Sequence, residues 1–162
     1  MPDSRSHTVT WDLPARAPET AGMSGLEAMR WSIAEGKRRS PISALMDIRM
    51  ISADPGVVVL EGRPGEQHYN PLGIVHGGFA ATLLDSALWS AVHTTIEPGW
   101  GHTTLELKVN YTRSMTTETG PVTCEGRVVH RGGRTAISEA RVTGADGKLY
   151  AYGSSTLLIM KL

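Results

Sequence analysis

The sequence predicts an α+β domain in which an antiparallel sheet wraps around one long helix. Three observations carry this. The stretch from Gly78 to Val92 is apolar on nearly every helical face. Six other segments are short and rich in β-branched residues. Asp54-Pro55-Gly56, Gly132-Gly133 and Asp146-Gly147 supply tight turns between them. The chain has 162 residues, enough for one domain with a real core. Sixteen Lys and Arg balance sixteen Asp and Glu, so net charge points to neither nucleic acid nor an anionic membrane as a partner. A single cysteine, Cys124, excludes an internal disulfide and fits a reducing compartment. With no apolar run near the ~20 residues of a membrane span, and no apolar signal core in MPDSRSHTVTWDLP, a cytoplasmic protein is expected.

Residues 1–22 are polar and carry prolines without a sustained period, which reads as a flexible arm; Trp11 and Leu13 are its docking candidates. Residues 23–162 form the expected domain. SGLEAMRWSIAEG places Ser24 and Glu27 at capping-box spacing, with Leu26, Met29 and Ile33 on one stripe and Gly36 as the stop, an extra N-terminal helix. The basic run Lys37-Arg38-Arg39 reads as a solvated helix end. From Ile42 the β signals begin, with ALMDIRMIS and VVVLEGR as the first hairpin. After the long helix come TTLELKVNYTR, PVTCEGRVVHR, RTAISEARVTG and KLYAYGSSTLLIM as four more strands.

The apolar helix contains one acid, Asp85. Its helical neighbours Ala81, Thr82, Leu88 and Trp89 offer it no cation, and a carboxylate drawn out of water costs several kcal/mol unless compensated. The helix is preceded by His76-Gly77-Gly78. Glycines at a first turn expose backbone N–H groups at the positive end of the helix dipole, a place where an oxyanion can be held. Gly77 and Asp85 are eight residues apart, about 12 Å along a helix, so one helix cannot bring both to one carbonyl. A two-fold dimer, with Asp85 facing Gly77 of its mate, would solve this and would also cover the apolar helix.

NPLGIVHGG followed by LLD, with His76, Gly77 and Asp85 at offsets of 6, 7 and 15 from Asn70, resembles the PaaI-like acyl-CoA thioesterases of the hotdog fold. The resemblance covers about residues 42–160. It implies thioester hydrolysis, with Asp85 as nucleophile or general base and the Gly77 N–H polarising the carbonyl. Asn70 would hold the carbonyl or the attacking water, His76 would orient the loop or donate a hydrogen bond, and Thr104 would assist the acid. The acid would come from the opposite subunit, in agreement with the helix length. No cofactor and no metal are implied; the partners are a coenzyme A thioester and further copies of the chain, as a dimer or dimer of dimers. The chemistry asks for little more: a base, an oxyanion donor, and a thiolate that leaves without a strong acid.

Gly78 would let a substrate oxygen approach the backbone, and Arg131 and Arg134, with Lys108 and Arg113, are candidates for the coenzyme A phosphates. His68 reads as a loop histidine; His93, His102 and His130 are too dispersed for a metal site. Leu45, Met46 and Met50 near Ile48 read as core or acyl-pocket lining. Thr104, Glu106, Lys108 and Asn110 form a polar strand face, either a pairing surface or solvated. Two other functions fit the same fold. A hydroxyacyl thioester dehydratase or hydratase would use His68, but its acid would fall on Thr82. A non-catalytic acyl-CoA binding module would not need Asp85 or the glycines.

Overall fold

The structure, a computed structural model, describes residues 4–11, 20–36 and 40–162. Helix α1 (Gly25–Ala34) starts at the expected capping box: the Ser24 side chain accepts from the Glu27 N–H, and the Glu27 carboxylate accepts from the Ser24 N–H at 2.8 Å. Met29 is buried, with Leu26 and Ile33 partly buried beside it. Gly36 follows in the left-handed region, φ +60°. Leu13 and the run Lys37-Arg38-Arg39 lie outside the described residues. Trp11 is exposed, and Arg5 pairs with Glu66.

The first strand does not begin at Ile42. Pro41–Leu45 is a second short helix, α2, capped by Ser40, whose hydroxyl accepts from the Ser43 N–H. Serine followed by proline at the first helical position is a helix-start signal, and here it outweighs the β preference of Ile42. Asp47 then takes a left-handed φ of 47° and turns the chain into the sheet.

Six strands follow: β1 (Ile48–Asp54), β2 (Val57–Gly62), β3 (Trp100–Tyr111), β4 (Val122–Arg131), β5 (Thr135–Gly144) and β6 (Leu149–Lys161). They form one antiparallel sheet in the order β1-β2-β4-β5-β6-β3. Pro55 and Gly56, the latter at φ +75°, make the β1–β2 turn. The long helix α3 (Gly77–His93) packs against β2, β3, β4, β5 and β6. Phe79, Leu83, Leu84, Ala87 and Leu88 are fully buried against Val58, Val122, Cys124, Val142 and Ala151. Each large side chain buried in this way stabilises the fold by about 1.5–3 kcal/mol. The helix lies very close to β4: a Cβ on Gly126 would stand 2.5 Å from the Ala87 carbonyl oxygen.

The pairing slips by one residue at the buried Tyr150 and at three further residues, Ile51, Leu105 and Val129. The latter three are exposed. They are β-bulges, and their apolar side chains are the places where strand alternation fails to predict burial.

Candidate active site

Asp85 projects from the half-buried face of α3 that carries Gly78, Ala81, Thr82, Ser86 and Trp89. The Thr104 hydroxyl, from β3, donates to Asp85 Oδ1 at 3.1 Å. That hydroxyl is the hydrogen-bond partner the helix itself does not supply. Asp85 also lines the wall of a cleft of about 820 Å³ that α3 forms with α1 and β1; Met50, Trp31, Ser86 and Trp89 are among its other walls. Ile48 and Met50 do line this cleft. Leu45 instead lies exposed on α2, with its carbonyl facing the His68 ring.

At the other end of the helix, His76 is the N-cap. Its Nδ1 accepts from the Gly78 N–H at 2.8 Å, so the ring is in the Nε2–H form and keeps one donor pointing outward. The Phe79 N–H is held by the His76 carbonyl. Gly78 thus has no N–H to offer a ligand and contributes only its lack of a side chain. The Gly77 N–H is the donor of this turn for which the chain supplies no acceptor among the described residues. Tyr111, at the end of β3, stands over it: a Cβ on Gly77 would lie 3.1 Å from the phenol ring. Asn70 shapes the approach, its Oδ1 accepting from the Leu72 N–H at 2.9 Å and, less closely, from Ile74. This fixes the amide so that Nδ2 is the group left to donate.

The structure brings Asp85 and Thr104 together, and His76, Gly77 and Gly78 together at the start of α3, with Asn70 held in the preceding loop by its own contacts to residues 72–74; these groups sit at separate points. Arg131 and Arg134 flank the β4–β5 hairpin tip, exposed, at the C-terminal end of α3 where Arg131 acts on His102. Lys108 and Arg113 are exposed on and after β3.

Two sequence readings need correction. His93 and His102 are not dispersed: their rings lie 5.1 Å apart, and Trp89 stacks on both, at 4.6 and 4.3 Å. They are nine residues apart in sequence, but helix and strand fold back on each other. Burial pushes His93 down to about 4 and lowers His102 as well. The second correction concerns Thr104, which does not share a face with Glu106, Lys108 and Asn110. The bulge at Leu105 turns it inward to Asp85 while the other three face outward.

His68 ends a short 3-10 turn, Glu66–His68, between β2 and α3 and is buried there. Its ring packs on Phe79 at 4.8 Å, Nδ1 accepts from the Gly65 N–H, and Nε2 faces the Leu45 carbonyl. Nδ1 is thus committed to the backbone. Cys124 is fully buried and burial raises its thiol, so it is no nucleophile. Trp89, Tyr111 and Glu106 were missed in the sequence; only tertiary contact marks them.

Residues 72–151 match the Thioesterase superfamily. Human acyl-coenzyme A thioesterase 13 is 31% identical over 121 residues, covering 74% of this chain and 85% of that protein. The 1,4-dihydroxy-2-naphthoyl-CoA hydrolase of Listeria monocytogenes is 27% identical, over 70% of this chain and 91% of its own length. Among solved structures, the E. coli PaaI protein of the phenylacetic acid degradation operon superposes with a TM-score of 0.72 at 20% identity, over 83% of this chain and 96% of that one, a likeness of fold. Sheet order, central helix and these relatives agree, and the chain belongs to the thioesterase superfamily as a PaaI-like hotdog thioester hydrolase.

Proposed function

We propose that the chain hydrolyses an acyl-CoA thioester at a site shared by two subunits, with Asp85 of one facing Gly77 of the partner subunit. The observation that carries this is the single carboxylate of α3, set in a cleft wall and hydrogen-bonded by Thr104. The helix length supports the sharing: eight residues place Gly77 about 12 Å from Asp85 in the same chain, too far for one carbonyl. An antiparallel pair of α3 helices offers each Asp85 the open N–H of the other chain.

Asp85 either removes a proton from water, which adds to the thioester carbon, or attacks that carbon itself to give an anhydride that water then cleaves. In both cases the carbonyl oxygen becomes an oxyanion, and the Gly77 N–H holds it at the positive end of α3. Collapse breaks the C–S bond and the thiolate of coenzyme A leaves; in the first route it takes up the proton that Asp85 removed from water, and in the second the proton released when water cleaves the anhydride. Asn70 Nδ2 and His76 Nε2–H are further donors beside that N–H, and the cleft between α1, β1 and α3 takes the acyl group. Arg131 and Arg134 lie at the C-terminal end of α3, so in an antiparallel helix pair they approach the partner subunit's Gly77. From there they can meet the coenzyme's phosphates. Dimers of this kind would pair further through the outer sheet face.

The test is release of free thiol from acetyl-, hexanoyl-, palmitoyl-, phenylacetyl- and hydroxybenzoyl-CoA by wild type and Asp85→Asn. Turnover on at least one substrate should fall by about a thousandfold in the folded variant, since this removes the group that makes the nucleophile. Turnover indifferent to Asp85 would sink the mechanism. Formation of an enoyl chromophore from a 3-hydroxyacyl thioester would favour dehydration instead. Thermal stabilisation by acyl-CoA without turnover would favour a binding module.

A further inference from the structure

Strand β3 makes two contacts to α3 that one regular strand could not make together. Thr104 reaches Asp85, and Tyr111 stands over Gly77. They are seven residues apart, an odd number, so unbroken alternation would send them to opposite faces of the sheet. Leu105 resolves the conflict. The pairing with β6 passes from Thr104–Leu157 to Glu106–Thr156, and Leu105 is the extra residue. Before it His102 and Thr104 face inward; after it Leu107 and Val109 pack on the core and Tyr111 reaches the helix start. Without the extra residue, Glu106, Lys108 and Asn110 would follow Thr104 into the apolar interior.

A bulge disrupts the hydrogen-bond ladder and needs its own fastening. Here the fastening is Glu106. Its Oε1 accepts from the Thr156 N–H at 2.7 Å, so a side chain stands in for a ladder carbonyl. The Ser155 hydroxyl donates to the Glu106 carbonyl at 2.7 Å. Among the described residues this exposed carboxylate makes no ion pair; it is used on backbone, a charge-assisted contact.

We propose that Glu106 is a positioning residue for the Asp85–Thr104 pair: it locks the bulge at Leu105 and so holds the Thr104 hydroxyl on the Asp85 carboxylate. This rests on the reading of Asp85 as the catalytic acid. Glu106 acts only through Thr104, which sets its signature apart from a general contribution to strand stability.

The experiment combines kinetics with a spectroscopic readout. On a thioester that the wild type hydrolyses, Glu106→Ala should lower kcat about tenfold, the scale of a lost hydrogen bond to a charged group, with KM within about twofold. Glu106→Gln, which keeps the acceptor oxygen, should restore kcat. The double variant with Thr104→Val should be no slower than Thr104→Val alone. In protein labelled with 13C-aspartate, the Asp85 carboxyl carbon, assigned by its absence in Asp85→Asn, should move equally in Glu106→Ala and Thr104→Val. A wild-type kcat in Glu106→Ala, losses that multiply in the double variant, or an Asp85 resonance that does not move would each overturn the proposal. Asp85→Asn run beside them reports separately: unchanged turnover there would refute the catalytic reading, while the resonance still decides whether Glu106 positions the pair.

Discussion

The two ends of α3 each carry a histidine, and the chain uses them in opposite ways. His76 is exposed, caps the first turn through Nδ1 and leaves the Gly77 N–H beside it open. His93 is packed among Trp89, His102 and the start of α1, where a Cβ on Gly25 would meet the His93 carbonyl at 1.9 Å. Its Nδ1 is buried without a hydrogen-bond partner among the described residues. A helix C-terminus favours an imidazolium by up to about 2 kcal/mol. Burial pushes His93 down from 6.5 to about 4, about 3 kcal/mol the other way, so desolvation wins. Thr94 closes this end further, donating to the Ala91 carbonyl and accepting from the Gly56 N–H, both at 2.7 Å. One end leaves a donor open to a ligand; the other packs its histidine into a ring stack. The open end suits an incoming charge, and the closed end anchors the helix.

The comparison breaks first at Gly77. Proline is at home in the first position of a helix and removes only the N–H, while alanine keeps the N–H; both must press on Tyr111 through the same Cβ, 3.1 Å from its ring. Gly77→Pro should therefore turn over about a hundredfold more slowly than Gly77→Ala, the cost of one oxyanion donor. Equal rates would mean that the open N–H has no catalytic role.

Acid tests the closed end. A histidine whose folded value is depressed binds its proton more readily when unfolded, so the unfolded state gains below about pH 6.5. Stability is then fully present above that value and falls as the pH drops toward about 4, by about 3 kcal/mol from His93. His68 and His102, also lowered by burial, add in the same direction. His93→Phe, which keeps a ring in the stack, should flatten the melting temperature against pH in this window. An unchanged slope would show that His93 is not held neutral.

The smallest effect is at His76. Alanine there removes the cap and should cost about 1 kcal/mol of stability; asparagine, a good cap, should restore it. If His76→Asn recovers stability but not turnover, the outward Nε2–H serves the reaction; recovery of both confines His76 to capping.

Much of the site was legible because it violates local rules. An acid inside an apolar helix and glycines at a helix start are conflicts that a sequence displays openly, and the capping box at Ser24 and Glu27 is written at fixed spacing. Helix α2 was also written, in Ser40-Pro41, but the β-branched Ile42 drew the strand reading. The bulge at Leu105 was not legible. TTLELKVN alternates in a way that puts Thr104 with Glu106, Lys108 and Asn110, and only pairing with β6 reveals the slip. The stacking of Trp89, His93 and His102 depends likewise on a helix and a strand folding back on each other, which no spacing encodes.

The central claim is that Asp85 and Gly77 of different chains make one site, and mixing two inactive variants tests it most directly. Asp85→Asn keeps Gly77, and Gly77→Pro keeps Asp85, so a mixed dimer would hold one intact pair. Random exchange of subunits gives about half mixed dimers, each with one working site of two, so activity should return to about a quarter of wild type. Recovery to that level is the predicted result. Mixed dimers, verified by tag capture, that stay as inactive as either parent would contradict the shared site.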